Sequence, residues 1–88
     1  MKITVTAEDI TNGQAGDAKC CPVALALRRA GYRLPMVSWD GINVVGKYYT
    51  GQLMSYNADH PVARFVRDYD MDNKVVPFEF ECPDMPQD

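Results

Sequence analysis

The chain has 88 residues, 47% hydrophobic and 24% charged, with nine Lys and Arg against twelve Asp and Glu. That size admits one core, burying roughly 60–65% of the unfolded surface, and excludes two domains. The composition excludes a disordered chain, and the longest apolar run, residues 23–27, falls far short of the roughly 18 residues of a membrane span.

Residues 2–6 alternate, with Ile3 and Val5 on one side, which predicts a strand with a single buried face. Thr6 and Asp9 stand at capping-box spacing and predict a short helix over residues 7–12, anchored by Ile10 and ended by Gly13. A polar loop over residues 14–19 delivers the chain to the segment 20–32, around which the sequence is organised. There Pro22 suits the first helical turn and Gly31 the position past the end, while Arg28 and Arg29 offset the negative end of the dipole. Val23, Ala24, Leu27 and Ala30 form the predicted core stripe, with Leu25 on its flank.

From Leu34 the period changes. Residues 36–39 and 42–45 are apolar runs around Asp40-Gly41, which predicts a hairpin with that dipeptide as its two-residue turn. A further short strand is expected over residues 48–50, stopped by Gly51, and Trp39 is expected in the core or on a sheet face. Asn57 to Asp59 supply helix-start residues and Pro61 fits the first turn. Val62, Phe65, Val66 and Tyr69 then follow at helical spacing, leaving Arg64, Arg67 and Asp68 toward water. Residues 75–81 alternate again, with Val76, Phe78 and Phe80 on one side, and Pro77 places that strand at an edge. The expected fold is α+β, a mostly antiparallel sheet of three to five strands with two main helices and one short helix on one face. It spans residues 1–82 as one domain, followed by a flexible C-terminal tail over residues 83–88.

No residue set points to catalysis, a metal or a cofactor, and no enzyme is expected. Cys20, Cys21, Cys82 and His60 are a poor zinc set, because adjacent cysteines strain tetrahedral ligation. The odd cysteine count also argues against a disulfide framework and for reduced thiols inside a cell. A thiolate at a helix start is favoured by the dipole, but His60, the sole histidine, precedes Pro61, where a polar residue has a structural reason to be. Arg28, Arg29 and Arg33, beside Tyr32, form a local basic cluster, yet a sequence pI near 4.9 weighs against a nucleic-acid-binding domain.

The acids are unevenly placed. Residues 1–56 carry six basic and four acidic side chains, whereas residues 57–88 carry three and eight. Asp68, Asp70, Asp72, Glu79 and Glu81 are the predicted partner-binding residues, weighed against ordinary solvated surface. Asp68 and Asp70 oppose the dipole at a helix C-terminus, so helix stability does not explain them. Asp70, Asp72 and Asn73 lack the glycine and downstream glutamate of a calcium loop.

The pattern of Ile3, Val5, Thr6, Asp9 and Ile10, then Cys21-Pro22 with Ala24-Leu25-Ala26 and Arg28-Arg29-Ala30, resembles small proteins encoded by bacteriophages and other mobile elements. The resemblance extends to Phe65-Val66-Arg67, Tyr69-Asp70 and residues 75–80. It carries no activity over to this chain. In size, acidity and lack of catalytic residues such proteins are similar in character to anti-CRISPR proteins, which occupy a protein surface of a surveillance complex. The resemblance implies an inhibitor of host defence in the bacterial cytoplasm, a monomer that binds a CRISPR effector of the Cascade kind and blocks its binding of DNA. Neither direct nucleic-acid binding nor a membrane is expected. The alternative is a small nucleic-acid-binding or regulatory protein using Arg28, Arg29, Arg33 and Lys47.

Overall fold

The computed structural model describes residues 1–47 and 49–85. Strand β1 (Lys2–Val5) buries Ile3 and Val5, as its alternation dictates, and pairs antiparallel with the C-terminal strand β5 (Phe78–Glu81). Helix α1 (Ala7–Asn12) opens with the expected capping box: Thr6 Oγ1 accepts from the Asp9 N–H at 3.2 Å, and Asp9 Oδ2 from the Thr6 N–H at 2.9 Å. Ile10 packs against the core but stays half-buried, whereas Asp9 is buried. Its carboxylate receives Arg29 Nη1 at 2.7 Å and Nη2 at 2.9 Å, and Nη2 also donates to the Thr4 carbonyl at 3.0 Å. Arg29 therefore does more than offset a dipole, since it compensates a buried charge twenty residues away.

Helix α2 (Pro22–Arg29) begins with Pro22 in the first turn, and Gly31 beyond its end takes φ of 103°. Val23, Ala24 and Leu27 are buried as expected. Ala26 takes the place expected of Ala30, which is exposed because the helix stops at Arg29 and Ala30 is already its cap.

Strands β2 (Met36–Val37), β3 (Gly41–Val45) and β4 (Thr50–Ser55) form a second antiparallel sheet in that order. The β2–β3 hairpin exists, but its turn lies one residue earlier than expected. Val37 pairs with Ile42 and the Ser38 N–H donates to the Gly41 carbonyl at 2.9 Å, so Trp39 and Asp40 occupy the turn. Gly41 is needed instead inside β3, where a Cβ would stand 2.8 Å from the Met54 carbonyl oxygen. The strand expected at 48–50 starts at Thr50 and continues through Gly51 to Ser55; Leu53 and Met54 pack on the core, and that burial outweighs the local break. Tyr48 lies outside the described residues.

Helix α3 (Pro61–Asp70) starts on His60, whose Nδ1 accepts from the Val62 N–H at 3.1 Å. Val62, Phe65 and Val66 are buried, and Tyr69 Oη donates to the Ile10 carbonyl at 2.9 Å, tying α3 to α1. Strand β5 begins only at Phe78, since Pro77 has no N–H for a ladder, and Val76 is left exposed. The fold is thus α+β, with five antiparallel strands among the described residues, divided between a two-stranded and a three-stranded sheet, and one shared core of Ile3, Val5, Val23, Leu27, Ile42 and Val62. Cys82 is buried and its N–H donates to the Met1 carbonyl at 2.9 Å, while Tyr32 Oη donates to the Pro83 carbonyl at 2.8 Å. Of the residues expected in the tail, 86–88 lie outside the described residues.

Candidate functional site

An open cleft of about 450 Å³ lies between the loop that precedes α2, the β2–β3 turn and one side of α3. The loop contributes Gly16, Asp17 and Ala18, and α3 contributes Ala63, Val66, Arg67 and Asp70. Cys21 and Val37, both buried, also line it. Trp39 from the turn and Met71 just past α3 line the cleft too, and each is 66% exposed. Large apolar side chains that open to solvent around one concavity are the feature that most distinguishes this face from ordinary surface.

Local hydrogen bonds set the walls. The turn that carries Trp39 is held from below by Tyr56, whose Oη donates to the carbonyls of Ser38 and Gly41 and whose N–H donates to the Asp40 carbonyl at 3.1 Å. The Tyr56 ring stacks on His60 with centroids 4.9 Å apart, so the start of α3 supports the same turn. On the opposite wall the Gly16 N–H donates to Asp70 Oδ1 at 2.8 Å, and the Val37 N–H donates to the Ala18 carbonyl at 2.9 Å. The loop is thereby joined to both α3 and β2.

Cys21 is the N-cap of α2, the position at which a thiolate is favoured by the helix dipole. Burial pushes its thiol up by more than the Val23 and Ala24 N–H groups draw it down, with Asp70 and Asp17 adding to the rise. The neutral thiol is therefore a small apolar group in the cleft. His60 Nδ1 is occupied as the acceptor of its own helix cap. No cluster of three or more metal-ligating side chains occurs among the described residues.

The structure divides the five predicted acids into two groups. Asp68, Asp70 and Asp72 cluster at and beyond the end of α3, with Asp70 in the cleft wall and Asp72 next to Met71. Glu79 and Glu81 project from the outward face of β5 beside cations: Glu79 lies 3.9 Å from Lys2 Nζ and accepts from Thr4 Oγ1 at 3.2 Å, and Glu81 lies 3.7 Å from the terminal amine of Met1. Of the basic cluster, Arg29 is committed to Asp9, and Arg28 lines a smaller pocket of about 120 Å³ with Lys19, Leu34 and Met36. Sequence reasoning missed Trp39, Met71 and Asp17 as site residues. The one available signal was a large aromatic set between the polar turn formers Ser38 and Asp40, where a core residue would be out of place.

Comparison with protein-family models, with curated proteins and with solved structures finds no match to this chain.

Proposed function

We propose that this protein works by stoichiometric binding to a protein partner through the cleft face, with Trp39 and Met71 as apolar anchors and Asp68, Asp70 and Asp72 as the charged surround. The observation that carries the reading is the coincidence at one place of two exposed apolar side chains with the most acidic part of the chain. An aromatic or aliphatic anchor inside a polar rim is the usual anatomy of a binding hot spot. The partner is a nucleic-acid-binding complex of a host cell, most concretely a CRISPR effector, whose Arg and Lys side chains would meet these carboxylates in place of phosphate. Such an association forms faster and tighter at low salt.

The test is binding of the purified protein to purified DNA-binding effector complexes, measured by interferometry at about 50 mM and 300 mM salt. Charge reversal at Asp68 and Asp72 together should weaken capture about tenfold or more. Trp39→Ala should do the same through the anchor. Absence of binding at low salt overturns the reading. The nucleic-acid alternative is disfavoured by the engagement of Arg29 with Asp9 and the Thr4 carbonyl.

A further inference from the structure

We infer that the cleft is a docking site for a basic peptide segment, one that inserts a bulky apolar side chain between Trp39 and Met71 and sets Lys or Arg side chains against the carboxylates around it. The inference rests on the partner-binding reading and narrows it to the chemistry of the segment recognised.

Four observations lead there. The cleft volume of about 450 Å³ falls in the range of roughly 300–1,000 Å³ that encloses drug-sized groups, enough for an aromatic or branched side chain with part of its backbone. Its lining is mainly apolar, from Cys21, Val37, Ala63 and Val66 to the two exposed side chains Trp39 and Met71, so an inserted apolar group leaves water for apolar contact.

The charge around the cleft has one prevailing sign. Asp17 and Asp70 line it against the single guanidinium of Arg67. Of the residues that directly follow lining residues in the chain, Asp40, Asp59, Asp68 and Asp72 are acidic and Lys19 and Arg64 basic, so acids outnumber bases around the cleft six to three. A segment with acidic flanks would face this rim at a cost, whereas a basic one is drawn to it, and a cation over the indole of Trp39 gains further attraction.

The cleft is also built rather than incidental. The turn that carries Trp39 is fixed by Tyr56, and the facing loop by Asp70, so the two walls do not need ordering when a peptide arrives.

Trp39 is the sole tryptophan, so its emission reports the cleft directly. The probes are acetylated, amidated pentapeptides titrated into the full chain: glycine-lysine-phenylalanine-arginine-glycine, the same peptide with glutamate for both basic residues, the same with glycine for phenylalanine, and free phenethylamine. The expected result is a saturable shift of Trp39 emission with the first peptide. Binding should be at least about tenfold weaker for the glutamate and glycine versions and should weaken as salt rises. Asp70→Asn, whose amide oxygen can still accept from the Gly16 N–H, should weaken binding of the basic peptide about threefold and leave thermal unfolding near that of wild type. Met71→Ala, at an exposed site, should weaken it by a similar factor.

Equal binding of the acidic and basic peptides overturns the inference. So does phenethylamine binding as tightly as the basic peptide, which would make the cleft a small-molecule site, and so does a concentration-dependent dimer in sedimentation that Trp39→Ala abolishes, which would make the occupant a second copy. If the peptides fail while charge reversal at Asp68 and Asp72 still abolishes effector capture, the acidic surface stands and the cleft does not. If the basic peptide binds and no effector complex does, the cleft stands and the inhibitor reading falls.

Discussion

Replacing Arg29 by Met keeps an aliphatic stem over the surface but removes three hydrogen bonds, two to the Asp9 carboxylate and one to the Thr4 carbonyl. A hydrogen bond to a charged partner contributes about 1.5–3 kcal/mol, and opening a fully buried ion pair costs about 3–5 kcal/mol. Here the Asp9 side chain is 5% exposed and that of Arg29 52%, so water screens part of the interaction and the expected loss is about 2 kcal/mol. In a domain of this size that lowers Tm by about 8–16 °C. Burial alone would raise the Asp9 carboxyl, but the Arg29 hydrogen bonds, the Thr6 N–H and the Arg29 charge outweigh it and hold the carboxyl below its ordinary value. A carboxylate depressed in the folded state adds stability above its unfolded pKa of about 3.9 and loses it as pH falls through the folded value. The wild-type protein should therefore shed this contribution only below about pH 4, whereas Arg29→Met lacks it already at neutral pH. Adding Asp9→Asn to Arg29→Met should recover part of the loss, because the stranded carboxylate is gone. Circular dichroism melts at neutral pH and down to about pH 2 measure both effects. An Arg29→Met protein within about 0.5 kcal/mol of wild type across that range would refute the assignment of Arg29 as the compensating charge.

Gly41→Ala should destabilise the fold by about 1–3 kcal/mol in chemical denaturation, since the added Cβ meets the Met54 carbonyl at 2.8 Å and that backbone belongs to the adjacent strand; an unchanged midpoint would mean that β4 shifts freely. Tyr56→Phe removes the hydroxyl donor of the Ser38 carbonyl, while the Gly41 carbonyl keeps its bonds from the Ser38 N–H and Oγ, so a loss of about 1 kcal/mol is expected together with a change in Trp39 emission, and identical spectra would show that the turn does not depend on Tyr56. Burial pushes the thiols of Cys21 and Cys82 up, so the stability tied to keeping them neutral is whole below about pH 8.5 and declines as pH rises toward their folded values. At neutral pH a thiol-disulfide reagent should modify the half-exposed Cys20 at least about tenfold faster than either, and equal rates for all three would contradict their burial.

What was legible in the sequence was local. The capping box of Thr6 and Asp9, the Pro22 start and Gly31 end of α2, the apolar face of α3 and the alternation of β1 each depend on residues within a turn or two of one another, so spacing alone carries them. What failed depended on approach from elsewhere in the chain. Gly41 reads as a turn residue until β4 is seen to pass within reach of its Cα, and that moves the turn onto Trp39 and takes the indole out of the core. Gly51 reads as a strand breaker because its neighbours Leu53 and Met54 reveal their burial only in three dimensions. The pairing of Asp9 with Arg29 had no local sign, for each residue already had a sufficient helical explanation at its own helix end. The cleft was illegible for the same reason, since its loop, turn and helix come from three separate parts of the chain.

The acids at the end of α3 bear on this most directly. In the sequence they count as carboxylates set against a helix dipole, with charge as their evident purpose. In the fold Asp72 takes φ of 60°, the left-handed position past the cap that Asp tolerates better than most residues, and Asp70 receives the Gly16 N–H. Asp68 Oδ1 in turn accepts from Asn73 Nδ2 at 3.4 Å, so all three have local work independent of any partner and their presence alone is weak support for recognition. Their position is stronger support. Asp70 shapes the wall of the same cleft whose rim it charges, and Asp72 terminates the helix immediately after placing Met71 in the open. A variant such as Asp70→Ala removes the loop tie and the charge at once, so its loss of binding would not discriminate between them. Asp70→Asn retains an acceptor for Gly16 and changes only the charge, which makes the difference between those two variants the quantity that separates architecture from recognition on this face.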